Sequence, residues 1–151
     1  TAAFAKFVAS DDYPEGLRQP ALAKMVTLFQ ADYPKYMRQF LQLQFLYAKD
    51  AAAILSDIVP KIVAHGAPAA LQAALDAVAQ TDARPWLAAV RCPTLLIFGQ
   101  KDSITPPRMG EYLHRHLPNS RLLLFERDSH APFLSHPQHF VEQLLSFWSH
   151  P

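Results

Sequence analysis

From Pro20 to about Gln80 the apolar residues recur at helical spacing; after Thr81-Asp82 they gather into short unbroken runs. Leu22, Met25, Val26 and Phe29 fall on one helical face, and so do Tyr36, Phe40 and Leu43 after Pro34, a residue suited to a first turn. A third helix is expected over about Asp50 to Ala64, closed by His65-Gly66, and a fourth over Ala69 to Ala79 after Pro68. Then come two runs without alternation, Thr94-Leu95-Leu96-Ile97-Phe98 and Leu122-Leu123-Leu124-Phe125. Such runs predict parallel strands covered on both faces. A helix over about Pro107 to Leu117 joins them, with Thr105 as its expected cap, and a right-handed crossover is implied. A last helix is expected over Pro137 to Ser149, burying Phe140, Leu144, Leu145, Phe147 and Trp148. The fold class is therefore α/β, in three stretches: the end of a core strand and its connection (1–19), a helical layer (20–82), and a strand–helix–strand–helix unit (83–151).

Composition narrows the function classes. Half of the 151 residues are hydrophobic, enough for a packed core. Fourteen basic against thirteen acidic side chains leave a net charge of +1, which disfavours a broad nucleic-acid surface. No apolar run reaches the roughly 18 residues of a membrane-spanning helix. The single cysteine, Cys92, excludes an internal disulfide, fits a reducing compartment, and is expected to be a buried structural thiol before Pro93.

Two residues carry candidate chemistry. Asp102 follows the first apolar run through Gly99-Gln100-Lys101, and His130 follows the second through Glu126-Arg127-Asp128-Ser129. A carboxylate and an imidazole on neighbouring strand ends are what acyl transfer needs. The histidine takes a proton from a hydroxyl too weak to attack by itself, and the carboxylate orients the ring and stabilises its cation. Asp128 is the rival acid, and Ser129 is a poor nucleophile because a chain neighbour rarely aims its side chain at the base. No Gly-x-Ser-x-Gly elbow occurs, the glycines being Gly16, Gly66, Gly99 and Gly110. His114 and His116 are two apart, so a helix would splay them; His136 and His139 could share a face but lack the acidic or cysteine partners of a metal site, so no metal is expected, and His136 is expected to brace the loop of His130.

The segments Pro93 to Asp102 and Ser129-His130-Ala131-Pro132-Phe133 resemble the C-terminal part of the α/β-hydrolase superfamily. More narrowly, His130-Ala131-Pro132-Phe133-Leu134-Ser135-His136-Pro137 is similar to the corresponding segment of pimeloyl-acyl-carrier-protein methyl ester esterases of biotin synthesis. Arg38-Gln39-Phe40-Leu41-Gln42-Leu43-Gln44 resembles part of their lid. The resemblance implies a four-helix lid over 20–82 and a serine carboxylesterase of the cytoplasm that needs no cofactor. His130 and Asp102 would be catalytic, Phe40 and Phe133 would contact substrate, and Lys35 and Arg38 would meet an acidic acyl carrier protein, although Gln39 stands where that family has arginine. The substrate would be an ester carried on that protein. The nucleophile would come from an N-terminal hydrolase half, in the same or a second chain, and the 151 residues alone would be inactive. Another hydrolase with the same dyad, a lactonase or carbon–carbon bond hydrolase, and a non-catalytic lid or complementation module stay open.

Overall fold

The computed structural model describes residues 1–150. Four helices come first: α1 (Gln19–Ala31), α2 (Tyr33–Gln44), α3 (Ala51–Val63) and α4 (Leu71–Gln80). Asp32 caps α2 by accepting a hydrogen bond from the Lys35 N–H at 3.1 Å, and Pro34 lies in its first turn, where an N–H has no helical partner. Gly66, at φ +71°, closes the chain after α3 in the left-handed region that a side chain disfavours.

A short 3₁₀ turn (Arg84–Ala89) returns the chain to the sheet. Strand β1 (Thr94–Gly99), helix α5 (Pro107–His116) and strand β2 (Ser120–Phe125) follow, then a single turn α6 (Pro132–Ser135) and α7 (Pro137–Ser149). The strands are parallel and in register from Thr94 opposite Ser120 to Gly99 opposite Phe125. On the other edge of β1, the Ala2 N–H donates to the Ile97 carbonyl. The end of a core strand expected within 1–19 is found as two isolated bridges, Lys6 to Asp82 and Val8 to Leu17.

Two cores hold these elements. One joins Phe7, Leu22, Leu96, Phe98, Met109 and Leu113, tying the chain's start and α5 to β1. The other joins Leu41, Phe45 and Val59 of the helical layer to Ala131, the residue after His130. Each buried leucine or phenylalanine contributes roughly 1.5–3 kcal/mol. The helical layer is thus fastened to the loop that carries the histidine.

Three expectations are corrected. Cys92 is exposed: Pro93 has no N–H to give the ladder, so β1 starts at Thr94 and leaves Cys92 outside the sheet. Helix α7 occupies the expected residues but buries none of them fully; Leu145 and Trp148 are exposed, because among the described residues no strand lies beneath that face. Thr105 does not cap α5, whose cap position is Pro106.

Arg84 clamps the return segment to the first connection. Its guanidinium donates to both Asp82 carboxylate oxygens and reaches Asp12 at 2.9 Å. These hydrogen bonds from Arg84 outweigh partial burial and hold Asp82 down at about 2, against an ordinary 3.8. A carboxyl whose folded pKa is depressed gives its stabilisation in full above the unfolded value and loses it as pH falls through the folded one. Unfolding free energy, measured by urea titration at several pH values, is expected to fall between about pH 4 and pH 2. In Arg84→Met that slope becomes shallower; an unchanged slope would show that the clamp is idle.

Candidate active site

The turns after β1 and β2 are built as a pair. Beyond the last strand pair, the Gln100 N–H donates to the Phe125 carbonyl at 3.0 Å and the Lys101 N–H to the Asp128 carbonyl at 2.8 Å. A side chain on Gly99 would come within 2.5 Å of the Asp128 carbonyl oxygen and closer still to that of Ser129. Only a bare α-carbon lets the two loops touch here. Asp102 and His130 are the next residues out on each loop.

The Asp102 carboxylate is buried and accepts four hydrogen bonds. Oδ1 takes the N–H groups of Ile104 (2.8 Å) and Thr105 (3.0 Å), the pattern of a turn aspartate. Oδ2 takes the Thr105 hydroxyl (2.7 Å) and the His130 Nδ1–H (2.9 Å). Burial pushes the carboxyl pKa up, but the hydrogen bonds from His130 and Thr105, the electrostatic attraction of the His130 ring and the Ile104 N–H together hold it below the ordinary 3.8. A carboxylate only accepts, so Nδ1 is the protonated nitrogen of a neutral His130 and Nε2 is left to take a proton. The ring forms part of the wall of a cavity of about 350 Å³, whose other walls include Phe7, Met25, Phe40, Leu43 and Val78. One end of an acyl group can sit at the base while its chain lies in apolar surroundings.

The loop is braced from both sides. Asp128, fully buried, pairs with His136 Nδ1 at 2.8 Å, as expected of His136, and makes no bond to His130. The Ser129 hydroxyl donates to the Leu43 carbonyl at 2.6 Å, near the open end of α2, which removes Ser129 as a nucleophile candidate and ties the His130 loop to the helical layer. The remaining sequence-flagged histidines have local partners: His114 with Ser120, His116 with the Tyr112 carbonyl, His139 with Glu142.

A family model described as "alpha/beta hydrolase fold" matches residues 9–137. The chain belongs to the alpha/beta hydrolase fold family. Its layout within that fold is supported by solved structures. An esterase from Exiguobacterium antarcticum superimposes with TM-score 0.82 at 24% identity, over 95% of this chain and 53% of that one. A bromoperoxidase from Bacillus anthracis does so at 0.83 and 24%, over 96% and 54%. At such identity they show the fold alone. Among curated relatives, the pimeloyl-[acyl-carrier protein] methyl ester esterase of Neisseria meningitidis serogroup C is 56% identical over 147 residues, 97% of this chain and 57% of the relative. The protein of that name from Nitrosomonas europaea is 37% identical over 137 residues, 89% and 54%. The chain therefore spans a little over half the length of the relatives it matches.

Within this alpha/beta hydrolase, the other candidates divide. Phe40 lines the cavity, with its ring edge-on to Phe29. Phe133 does not: the single turn α6 buries Pro132 and Ser135 and leaves Phe133 half exposed on its other side, packed against Phe140. Lys35 and Arg38 are exposed on α2, Lys35 lying over the Tyr36 ring. A second groove of about 230 Å³ between α1 and α2 includes Lys24, Tyr36 and Gln39 and shares Met25, Phe40 and Leu43 with the cavity. Sequence reasoning missed Thr105 as an Asp102 partner and Ser129 as an anchor. The signal for the first was present, since an aspartate three residues before a threonine is a turn that turns both donors inward.

Proposed function

We propose that this chain supplies the acid and base of a serine esterase, and that the whole enzyme hydrolyses the methyl ester of pimeloyl-acyl-carrier protein. The observation that carries the reading is the buried Asp102–His130 hydrogen bond opening on an apolar cavity. The names of relatives 56% and 37% identical select the substrate. The serine comes from chain outside these 151 residues, where the hydrolase elbow belongs. Its hydroxyl attacks the ester carbonyl while His130 Nε2 takes the proton, and Asp102 stabilises the imidazolium. The tetrahedral adduct collapses, His130 returns the proton to the departing methoxide, and methanol leaves. Water then attacks the acyl-serine with His130 again as base, releasing the free acid and restoring the serine. No cofactor or metal enters these steps.

Phe40, at the divide between cavity and groove, contacts the acyl chain. Lys35 and Arg38, with Lys24 near the groove, face an acidic carrier. The reading sets the enzyme in the cytoplasm; the exposed, unpaired Cys92 suits a reducing compartment, and no helix of the structure is long and apolar enough to cross a membrane.

Mass spectrometry of the acyl carrier tests this. The whole enzyme is expected to strip one methyl group from methyl-pimeloyl carrier protein, and kcat/KM in Lys35→Glu/Arg38→Glu to fall about tenfold for that substrate while a small free methyl ester is unaffected. Faster turnover of a lactone, or of a carbon–carbon substrate, would move the enzyme to another hydrolase class. No turnover of any of these would leave a non-catalytic module.

A further inference from the structure

Thr105 sits where the acid and base meet. It is buried, 2% exposed, and it grips both oxygens of Asp102: the backbone N–H holds Oδ1 at 3.0 Å and the hydroxyl holds Oδ2 at 2.7 Å. That double hold stops the carboxylate from rotating about its Cβ–Cγ bond. The same hydroxyl oxygen lies 3.2 Å from His130 Nδ1.

A threonine hydroxyl has one hydrogen. Here it goes to Asp102 Oδ2, because an ionised carboxylate is the stronger acceptor and has no hydrogen to give. The oxygen then turns a lone pair toward His130, and the Nδ1–H lies in a fork between two acceptors, Asp102 Oδ2 and Thr105 Oγ1. The opposite tautomer would place a bare Nδ1 lone pair against both oxygens. Turning the hydroxyl to meet it would forfeit the charge-assisted bond to Asp102.

We propose that Thr105 is a positioning residue of the dyad: its side-chain hydroxyl locks the Asp102 carboxylate and fixes His130 as the Nδ1–H tautomer, with Nε2 free to act as base. This rests on the esterase reading for its consequence in catalysis, while the tautomer can be read independently of any turnover. A valine at this position keeps the shape and the backbone N–H and loses only the hydroxyl. A serine keeps the hydroxyl.

The experiment compares Thr105→Val and Thr105→Ser in the full-length protein. Side-chain nitrogen-15 spectra of histidine, assigned with His130→Gln, are expected to show protonated Nδ1 in the native protein and in Thr105→Ser. In Thr105→Val the Nε2–H form grows and the Nδ1–H exchanges with water at least about tenfold faster. On ester substrate, kcat of Thr105→Val falls about tenfold with KM within twofold, and Thr105→Ser recovers most of it. A folded Thr105→Val with native tautomer and native exchange overturns the proposal and leaves Thr105 a packing residue. Thr105→Ala repeats the comparison should the buried valine disturb folding. If the native protein hydrolyses no ester, the esterase reading fails by itself and the nitrogen spectra still decide the role of Thr105.

Discussion

His130→Ala in the whole enzyme is expected to lower kcat by about 10⁴-fold or more, with KM nearly unchanged, and to leave thermal stability close to native. The ring is partly exposed at the cavity wall, so its removal opens no sealed core. Asp102→Asn is the sharper companion. The asparagine oxygen can still accept the N–H groups of Ile104 and Thr105, which keeps the turn. Its amide nitrogen then replaces Oδ2 and donates toward His130 Nδ1, which selects the wrong tautomer and puts the proton on Nε2. The expected loss is about 10³–10⁴-fold in kcat with little change in fold. Steady-state kinetics on methyl-pimeloyl carrier protein and circular dichroism measure the two quantities. A His130→Ala enzyme retaining more than a tenth of native kcat would sink the assignment of the base.

Low pH adds a second reading of the same pair. The Asp102 pKa lies below its ordinary 3.8 in the folded protein, so its contribution to stability is complete above that value and disappears as pH falls through the lower folded value. Across neutral pH the Asp102 carboxyl therefore stays ionised.

The pairing of Asp102 with His130 was legible because each follows an unbroken apolar run. Strands that end side by side in register carry their following turns to the same edge of the sheet, so Asp102 and His130 had to be neighbours once β1 and β2 paired. Helix positions were legible for the same local reason: Pro34, Gly66 and Pro137 mark ends by what they cannot do with an N–H or can do with φ. What escaped depends on contacts between segments far apart in the chain. Phe133 is apolar and three residues from His130, yet the turn α6 buries Pro132 and Ser135 and leaves Phe133 on its other side, against Phe140. Ser129 was set aside as a nucleophile, but nothing local could show that its hydroxyl meets Leu43 in a different layer. The apolar pattern of α7 was real, but a pattern marks which face would be buried and does not supply the surface that buries it.

Gly99→Ala is expected to damage both stability and catalysis through one cause. The added methyl group would lie against two backbone carbonyl oxygens, those of Asp128 and Ser129. Backbone cannot swing aside as a side chain tip can. These two are also held: the Asp128 carbonyl accepts from Lys101, the Asp128 side chain is buried against His136, and Ser129 is tied to Leu43. The loops must therefore part, breaking the Lys101–Asp128 bond and lengthening the Asp102–His130 contact. Overpacking plus one lost hydrogen bond costs about 2–4 kcal/mol. A shift near 1 Å in the dyad lowers kcat about 10²-fold. Urea denaturation and steady-state kinetics give the two numbers. Gly66→Ala is the control, because nothing lies within 4 Å of its added carbon. Its cost, about 1 kcal/mol, comes only from the left-handed φ of +71°, and kcat stays native. The two substitutions are chemically identical, so their difference isolates the close approach of the loops. A Gly99→Ala enzyme as stable and as fast as Gly66→Ala would mean that the loops can separate without disturbing the pair they carry.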